Sequence, residues 1–331
     1  MDVSYTLGTQ FEPSKPLDGI ADEFAYQAEL LREGGFYCLF VPEHHATDDS
    51  YFYNEAVVSY LANHVGDMKL GTGVCLLPFH NPVRIAEFGA TVDHLTGGGF
   101  RLGVAQGYRP EEYAVFGIDK SEALARFVEG VQVIKRLWTE ERVSYEGKVY
   151  SFEDVTINPK PLQSPRPEVL TGASNESSIR RAAKLTDGWM GAHVPFSVAR
   201  EQVAAFRDEA SNVDGDRRVA FGREVFVAET TEAAEKAVRE PLMEKYGSYS
   251  DWGQDDAIES DDFDSPWDQL RHERFIVGTP AEVVEEVERY QAALDLDEFK
   301  VRMQFPTIDL EDTHSSLELF VDEVLPEIRG L

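Results

Sequence analysis

Apolar runs rich in β-branched and aromatic residues recur along the chain at VSYTLG, YCLFVP, MKLGTGVCLLP, FRLGVAQG, EVLTGA, GWMGAH, VAFGREVFVA and FKVRMQF, eight in all. Amphipathic stretches separate most of them. This alternation predicts a parallel sheet with helices outside, and eight units predict a closed (β/α)8 barrel of the TIM type. An open doubly wound sheet is the runner-up. It usually carries a glycine-rich nucleotide fingerprint after its first strand, and TLGTQFEPSKP does not match one. No repeat or low-complexity linker divides the chain, so residues 1–331 read as one domain.

Local signals mark several helices. Asn81-Pro82 supplies an N-cap with proline in the first turn, and Gly97-Gly98-Gly99 ends that helix. Phe127, Val131, Ile134 and Trp138 form one buried stripe, and Leu317, Phe320, Val321, Val324, Leu325 and Ile328 form another. Thr279 and Glu282 have the spacing of a capping box around Pro280. Two stretches break the rhythm. Residues 143–157 alternate around Glu146-Gly147 and predict an inserted β-hairpin. Residues 247–274, acidic and turn-rich, read as a long loop before the last strand, either a substrate lid or a salt-adapted excursion.

Charge changes the picture next. Sixty-one Asp and Glu face 31 Lys and Arg, a formal net charge of -30. Such a surface repels nucleic acid and anionic membranes. The acids are spread along periodic helices, which argues against a disordered tail and for adaptation to high salt, where screening relieves self-repulsion. Arginine outnumbers lysine, in keeping with that reading. Neither a basic n-region nor an apolar span opens or crosses the chain, and a cytoplasmic protein is expected. Cys38 and Cys75 lie in apolar runs and read as small buried hydrophobes.

In a barrel of this kind the chemistry gathers at the C-terminal ends of the strands. There the sequence places Glu43, His44 and His45; Gly71 to Val74; Gln106, Gly107 and Tyr108; Gly172 to Ser178; and His193. Adjacent histidines on extended backbone point to opposite sides, so His44 and His45 are poor joint ligands and no metal site is expected. One should face the barrel mouth, oriented by Glu43 for acid–base work; a pair of structural rim histidines is the alternative. The turn TGASNESS presents backbone N–H groups and hydroxyls at a helix N-terminus, where Ser174, Asn175, Ser177 and Ser178 could reach a phosphate; a plain N-cap is the blander reading. Gly71 and Gly73 inside a strand mark a bulge or a close approach to the backbone.

The order of these features, EHH, LGTGV..LP.HNPVRIAE, FRLGVAQGYRPEEYAVFG, PKPLQ, TGAS...SIRRAA, DGW, FIVGTPAEVVEEVERY and LELFVDEVLPEIR, resembles the luciferase-like family of flavin-dependent oxidoreductases over essentially the whole chain. The resemblance implies a catalytic His44 beside the reactive flavin edge, with Glu43 and His45 in the same run. It implies a cis peptide at Gly73-Val74 under the ring, and a phosphate loop of Gly172, Ser174, Asn175, Ser177 and Ser178. Gln106 stands where luciferase has an arginine. The implied activity is a monooxygenase using reduced FMN and molecular oxygen on a small organic substrate. FMN would arrive from a separate NAD(P)H flavin reductase, because the chain has no second nucleotide-binding domain. F420-dependent hydride transfer is the alternative cofactor chemistry, and a catalytically silent flavin-binding dimer partner is a third possibility. The resemblance also implies a homodimer.

Overall fold

The computed structural model describes residues 1–191, 194–254, 263 and 265–331. Nine strands share its main sheet: β1 (Asp2–Thr6), β2 (Cys38–Val41), β3 (Lys69–Leu76), β4 (Phe100–Ala105), β5 (Glu168–Gly172), β6 (Gly188–Gly191), β7 (Arg218–Val227), β8 (Phe275–Gly278) and β9 (Glu298–Arg302). Their hydrogen-bonded order is β6-β5-β4-β3-β2-β1-β9-β7-β8, and β6 also pairs with β7. That parallel pairing, from Gly188↔Arg218 to Gly191↔Phe221, closes the ring. Eight parallel strands therefore form the barrel, as the alternation of strands and helices predicts. The short run FIVG was not among the expected strands. It is β8, which extends the sheet along the far half of β7, from Glu224↔Phe275 to Val227↔Gly278. Four fully buried residues show no alternation, so periodicity alone cannot reveal such a strand.

The helices follow their sequence signals. Asn81 caps Pro82–Leu95 by accepting from the Val83 N–H. Gly97 and Gly98 beyond it have φ of 64° and 96°, the left-handed region. Thr279 and Glu282 form a reciprocal capping box on Pro280–Leu294. Phe127, Val131, Ile134 and Trp138 are all buried. The final stripe departs from a uniform helix, because Phe320–Val324 forms a π-helical turn that leaves Val321 partly exposed. Val143–Glu146 and Ser151–Val155 make the expected antiparallel hairpin.

The acidic stretch 247–274 is not simply a loop. Helix Thr231–Asp251 runs into it and helix Trp267–Arg274 ends it. Trp267, Leu270 and Arg274 recur at helical spacing and are buried, an apolar stripe obscured in sequence by the surrounding acids. Residues 255–262 and 264, like His193, lie outside the described residues.

Alternation along the strands decides what fills the barrel. On β9, Phe299 packs against Tyr290 of an outer helix, whereas Glu298, Lys300 and Arg302 point inward. At the lower end Arg101 pairs with Glu298 at 2.9 Å and Glu168 at 2.6 Å, and Ser4 donates to Glu298 at 2.6 Å. Cys38, Phe40, Leu170, Met190 and Ala220 form an apolar layer over these charges. The space left open is at the C-terminal end.

Candidate functional site

A cavity of about 630 Å³ occupies that end, within the roughly 300–1,000 Å³ of small-molecule sites. Glu43, His44, Gly73, Val74, Gln106, Gly172, Ser174, Asn175 and Ser178 all line it. His45 and Ser177 do not.

The loop after β2 turns the two histidines apart. His44 faces the cavity, with its ring 5.5 Å from Tyr51, 5.8 Å from Tyr108 and 5.3 Å from Trp252. His45 is turned away and packs on Phe79, Phe116 and His80. It therefore lies outside the catalytic set expected from the EHH run. The orienting acid also differs from expectation. Glu43 does not hold His44; its Oε1 lies 3.0 Å from His45 Nε2 and 2.9 Å from His80 Nε2, and Oε2 accepts from the Leu76 N–H. Instead Glu112, fully buried on the short helix Pro110–Val115, lies 3.2 Å from His44 Nδ1 and accepts from the His45 N–H at 2.8 Å. Arg109 steadies this corner: it donates to the His45 carbonyl at 2.9 Å and lies 4.5 Å over the Trp252 ring.

Glu43 has become a structural anion. Burial alone would raise its carboxyl, but the imidazoles of His45 and His80 outweigh burial and hold it at about 2. For His80 burial opposes the charge too, yet Glu43 and Glu55 raise its affinity for a proton. Glu43, Cys75 and His80 bring potential ligand atoms within 4.8 Å of one another. Both Glu43 oxygens are engaged within the protein, and burial pushes the Cys75 thiol well up, with the nearby carboxylates adding to it. The cluster thus has the character of a hydrogen-bonded support behind His44. Both cysteines are free and buried.

β3 explains its glycines. Register with β4 shifts between Thr72 and Cys75, and the Gly73-Val74 peptide bond is cis. A Cβ on Gly73 would lie 2.6 Å from Phe40 Cβ, and one on Gly71 would lie 2.5 Å from the Arg101 carbonyl oxygen. Only glycine lets the bulge pass this close to its neighbours.

Beyond β5, Asn175 caps helix Glu176–Leu185 by accepting from the Ser178 N–H at 3.0 Å. Ser178 Oγ donates to the Asn175 carbonyl at 2.8 Å, and Gln202 pins the Ser174 carbonyl at 2.6 Å. The plain N-cap is therefore present, at the edge of the cavity. Ser177 donates to Asn175 Oδ1 at 2.9 Å on the exposed side, a correction to its place in the expected phosphate loop.

Sequence reasoning missed the opposite wall, where Lys300, Arg302, Glu224, Tyr249 and Trp252 also line the cavity. Trp252 and Tyr249 belong to the acidic stretch, which supplies a wall of the site. Lys300 and Arg302 had a legible signal in FKVRMQF, two cations at alternate positions of an otherwise apolar strand. The buried Tyr108 hydroxyl, among the described residues, has no hydrogen-bond partner.

An eight-stranded barrel with one cofactor-sized cavity at its C-terminal rim defines a small-molecule enzyme class by fold and site. The chain belongs to the luciferase-like monooxygenase family, whose profile matches residues 1–296. It is 25% identical over 328 residues to the oxygenase component of the flavin-dependent trigonelline monooxygenase of Acinetobacter baylyi, covering 92% of this chain and 89% of that one. It is 30% identical over 169 residues to the FMNH2-dependent dimethylsulfone monooxygenase of Pseudomonas putida, covering 50% and 46% of the two chains. Monooxygenase RslO1 of Streptomyces bottropensis superposes with a TM-score of 0.86 at 24% identity, over 98% of this chain and 99% of that one. An F420-dependent secondary alcohol dehydrogenase shares the fold at TM-score 0.79 and 17% identity, over 99% of both chains. No helix among the described residues is long and apolar enough to cross a membrane.

Proposed function

We propose that this chain is the oxygenase component of a two-component monooxygenase that takes reduced FMN from a separate NAD(P)H flavin reductase and inserts one oxygen atom into a small organic substrate. The observation that carries the reading is the convergence on one cavity of His44, the Gly73-Val74 bulge and the turn holding Ser174, Asn175 and Ser178. These residues fit a flavin mononucleotide. The bulge offers a surface without a side chain at Gly73, the serine turn offers backbone N–H groups at a helix N-terminus for the phosphate, and the unpartnered Tyr108 hydroxyl offers a hydrogen bond. When bound, reduced FMN supplies the two electrons that reduce dioxygen, one oxygen atom going to substrate and the other to water.

The chain's own residues do the rest. Glu112 fixes His44 through Nδ1, so Nε2 is the nitrogen that takes or returns a proton inside the cavity. Tyr51, Tyr108 and Trp252 surround that imidazole with rings and exclude water from it. The relatives named as an oxygenase component and as FMNH2-dependent favour FMN and a reductase partner. F420-dependent hydride transfer is the second reading, favoured by the F420 enzyme that shares the fold.

Titration with FMN and with F420 in molar salt separates the two cofactors. With a reductase and a panel of substrates, His44→Ala is expected to keep FMN affinity within about 3-fold while product formation falls by roughly 10²–10⁴. Full turnover by His44→Ala would remove the imidazole from this role. Absence of oxygen consumption by the wild type across the panel would point to a silent flavin-binding partner.

A further inference from the structure

The rim described so far leaves two buried cations without a task. Lys300 and Arg302 are each only 7% exposed, yet both line the cavity. Lys300 Nζ makes no hydrogen bond or ion pair among the described residues, and the carboxylate below it, Glu298, is already held by Arg101 and Ser4. Arg302 donates from Nη1 to the Tyr249 hydroxyl at 3.2 Å and from Nε to the Gln304 carbonyl at 3.4 Å, and its Nη2 is buried with no partner. Glu224, the nearest candidate counter-charge, is engaged by Lys245 and the Tyr246 hydroxyl. Burial pulls the Lys300 ammonium down to about 8, so it still carries its charge at neutral pH. A buried charge without a partner is costly, and a ligand of opposite sign in the cavity would offset that cost.

Position around the ring says which ligand. β9 is three strands from β3 by way of β2 and β1, and three from β5 by way of β7 and β6. The cations therefore stand across the cavity from both the Gly73-Val74 bulge and the serine turn. A flavin with its phosphate at the turn and its ring on the bulge would turn its free face toward β9. This step rests on the flavin reading above; the unpaired cations do not.

We infer that the substrate is an organic acid whose carboxylate docks on Arg302 and Lys300, which hold its oxidisable carbon skeleton between the flavin and β9. The two residues position the substrate and do not take part in the chemical step. An alternative source of the same acceptor chemistry is the flavin's own pyrimidine edge, and the test separates the two.

Wild type, Arg302→Met and Lys300→Met are titrated calorimetrically with benzoate and with its neutral isostere benzamide, with and without FMN, and FMN affinity is measured separately by fluorescence. Wild type is expected to bind benzoate at least about 10-fold tighter than benzamide, as charge-assisted hydrogen bonds imply. Each variant is expected to lose that preference while its FMN and benzamide affinities stay within about 3-fold. Arg302→Gln and Lys300→Gln replace any methionine variant that fails to fold, as judged by circular dichroism. Equal affinity for benzoate and benzamide in wild type would overturn the inference. So would an Arg302 variant that weakens FMN by about 10-fold yet keeps the benzoate preference, since the cation would then serve the flavin. A wild type that binds benzoate selectively but no flavin would sink the flavin reading and leave the anion site standing.

Discussion

Replacing Glu43 by glutamine isolates the electrostatics of the support behind His44. The substitution keeps the shape and leaves an acceptor for the Leu76 N–H, so the principal loss is the negative charge between His45 and His80. In the folded protein this carboxyl sits at about 2, a depression from its ordinary value equivalent to roughly 3 kcal/mol of stability. The same coupling is visible from the histidine, whose proton affinity is raised chiefly by Glu43. The signs follow from the two directions. A depressed carboxylate stabilises the fold above its unfolded value, about 4.5, and loses that stabilisation as pH falls toward 2. A raised imidazole stabilises below its unfolded value, about 6.5, and loses that contribution as pH climbs through its folded value. Urea unfolding of wild type and Glu43→Gln in molar salt, at intervals from pH 3 to 9, measures the difference directly. It is expected to peak at about 3 kcal/mol between pH 4.5 and 6.5 and to shrink on both sides. Because one pair produces both flanks, the two losses are one coupling energy and are not added. A difference that stays constant across the range, or below about 1 kcal/mol at its maximum, would refute the coupling.

Gly73→Ala forces a Cβ to within 2.6 Å of Phe40 Cβ, so the bulge must shift, with an expected loss of about 1–3 kcal/mol in urea unfolding and a drop of at least about 10-fold in FMN affinity by titration. Glu112→Gln keeps a hydrogen-bond partner for His44 but removes its charge; turnover should fall while FMN affinity holds, and the acidic limb of the pH–rate profile should move, since the imidazolium form loses its stabilising carboxylate. Given a net charge of -30, the melting temperature should rise between 0.1 M and 2 M KCl, and indifference to salt would defeat the high-salt reading.

The barrel was legible because its signals are local and repeated: apolar runs of strand length, N-caps such as Asn81, and the Thr279 capping box each predict one element. His44, the β3 glycines and the serine turn were legible because they fall at strand ends, where this fold concentrates polar groups. Pairings between distant segments were not. Glu43 and Glu112 are both acids near His44 in the folded chain, but only one neighbours it in sequence, and the nearer one turned to His45 and His80 instead. The acidic stretch misled for a different reason. Its surface acids hid the short stripe of Trp267, Leu270 and Arg274, and its first residues, Tyr249 and Trp252, are the ones that reach the cavity.

Charge is arranged in opposite senses inside and outside this molecule, and the two arrangements bear on each other. The exterior carries most of the 61 acids, while Lys300 and Arg302 face the cavity with Glu224 already neutralised by Lys245. An anionic substrate therefore approaches through a repelling field and arrives in an attracting one. At about 0.1 M salt the Debye length is roughly 10 Å, long enough for the exterior to oppose entry; at about 1 M it is roughly 3 Å, and only the desolvated interior charges still act. Salt should then weaken the repulsion far more than the attraction, because the buried pair is reached by few ions. The usual expectation, that salt loosens the binding of an anion to arginine and lysine, is reversed here by where the two sets of charges lie.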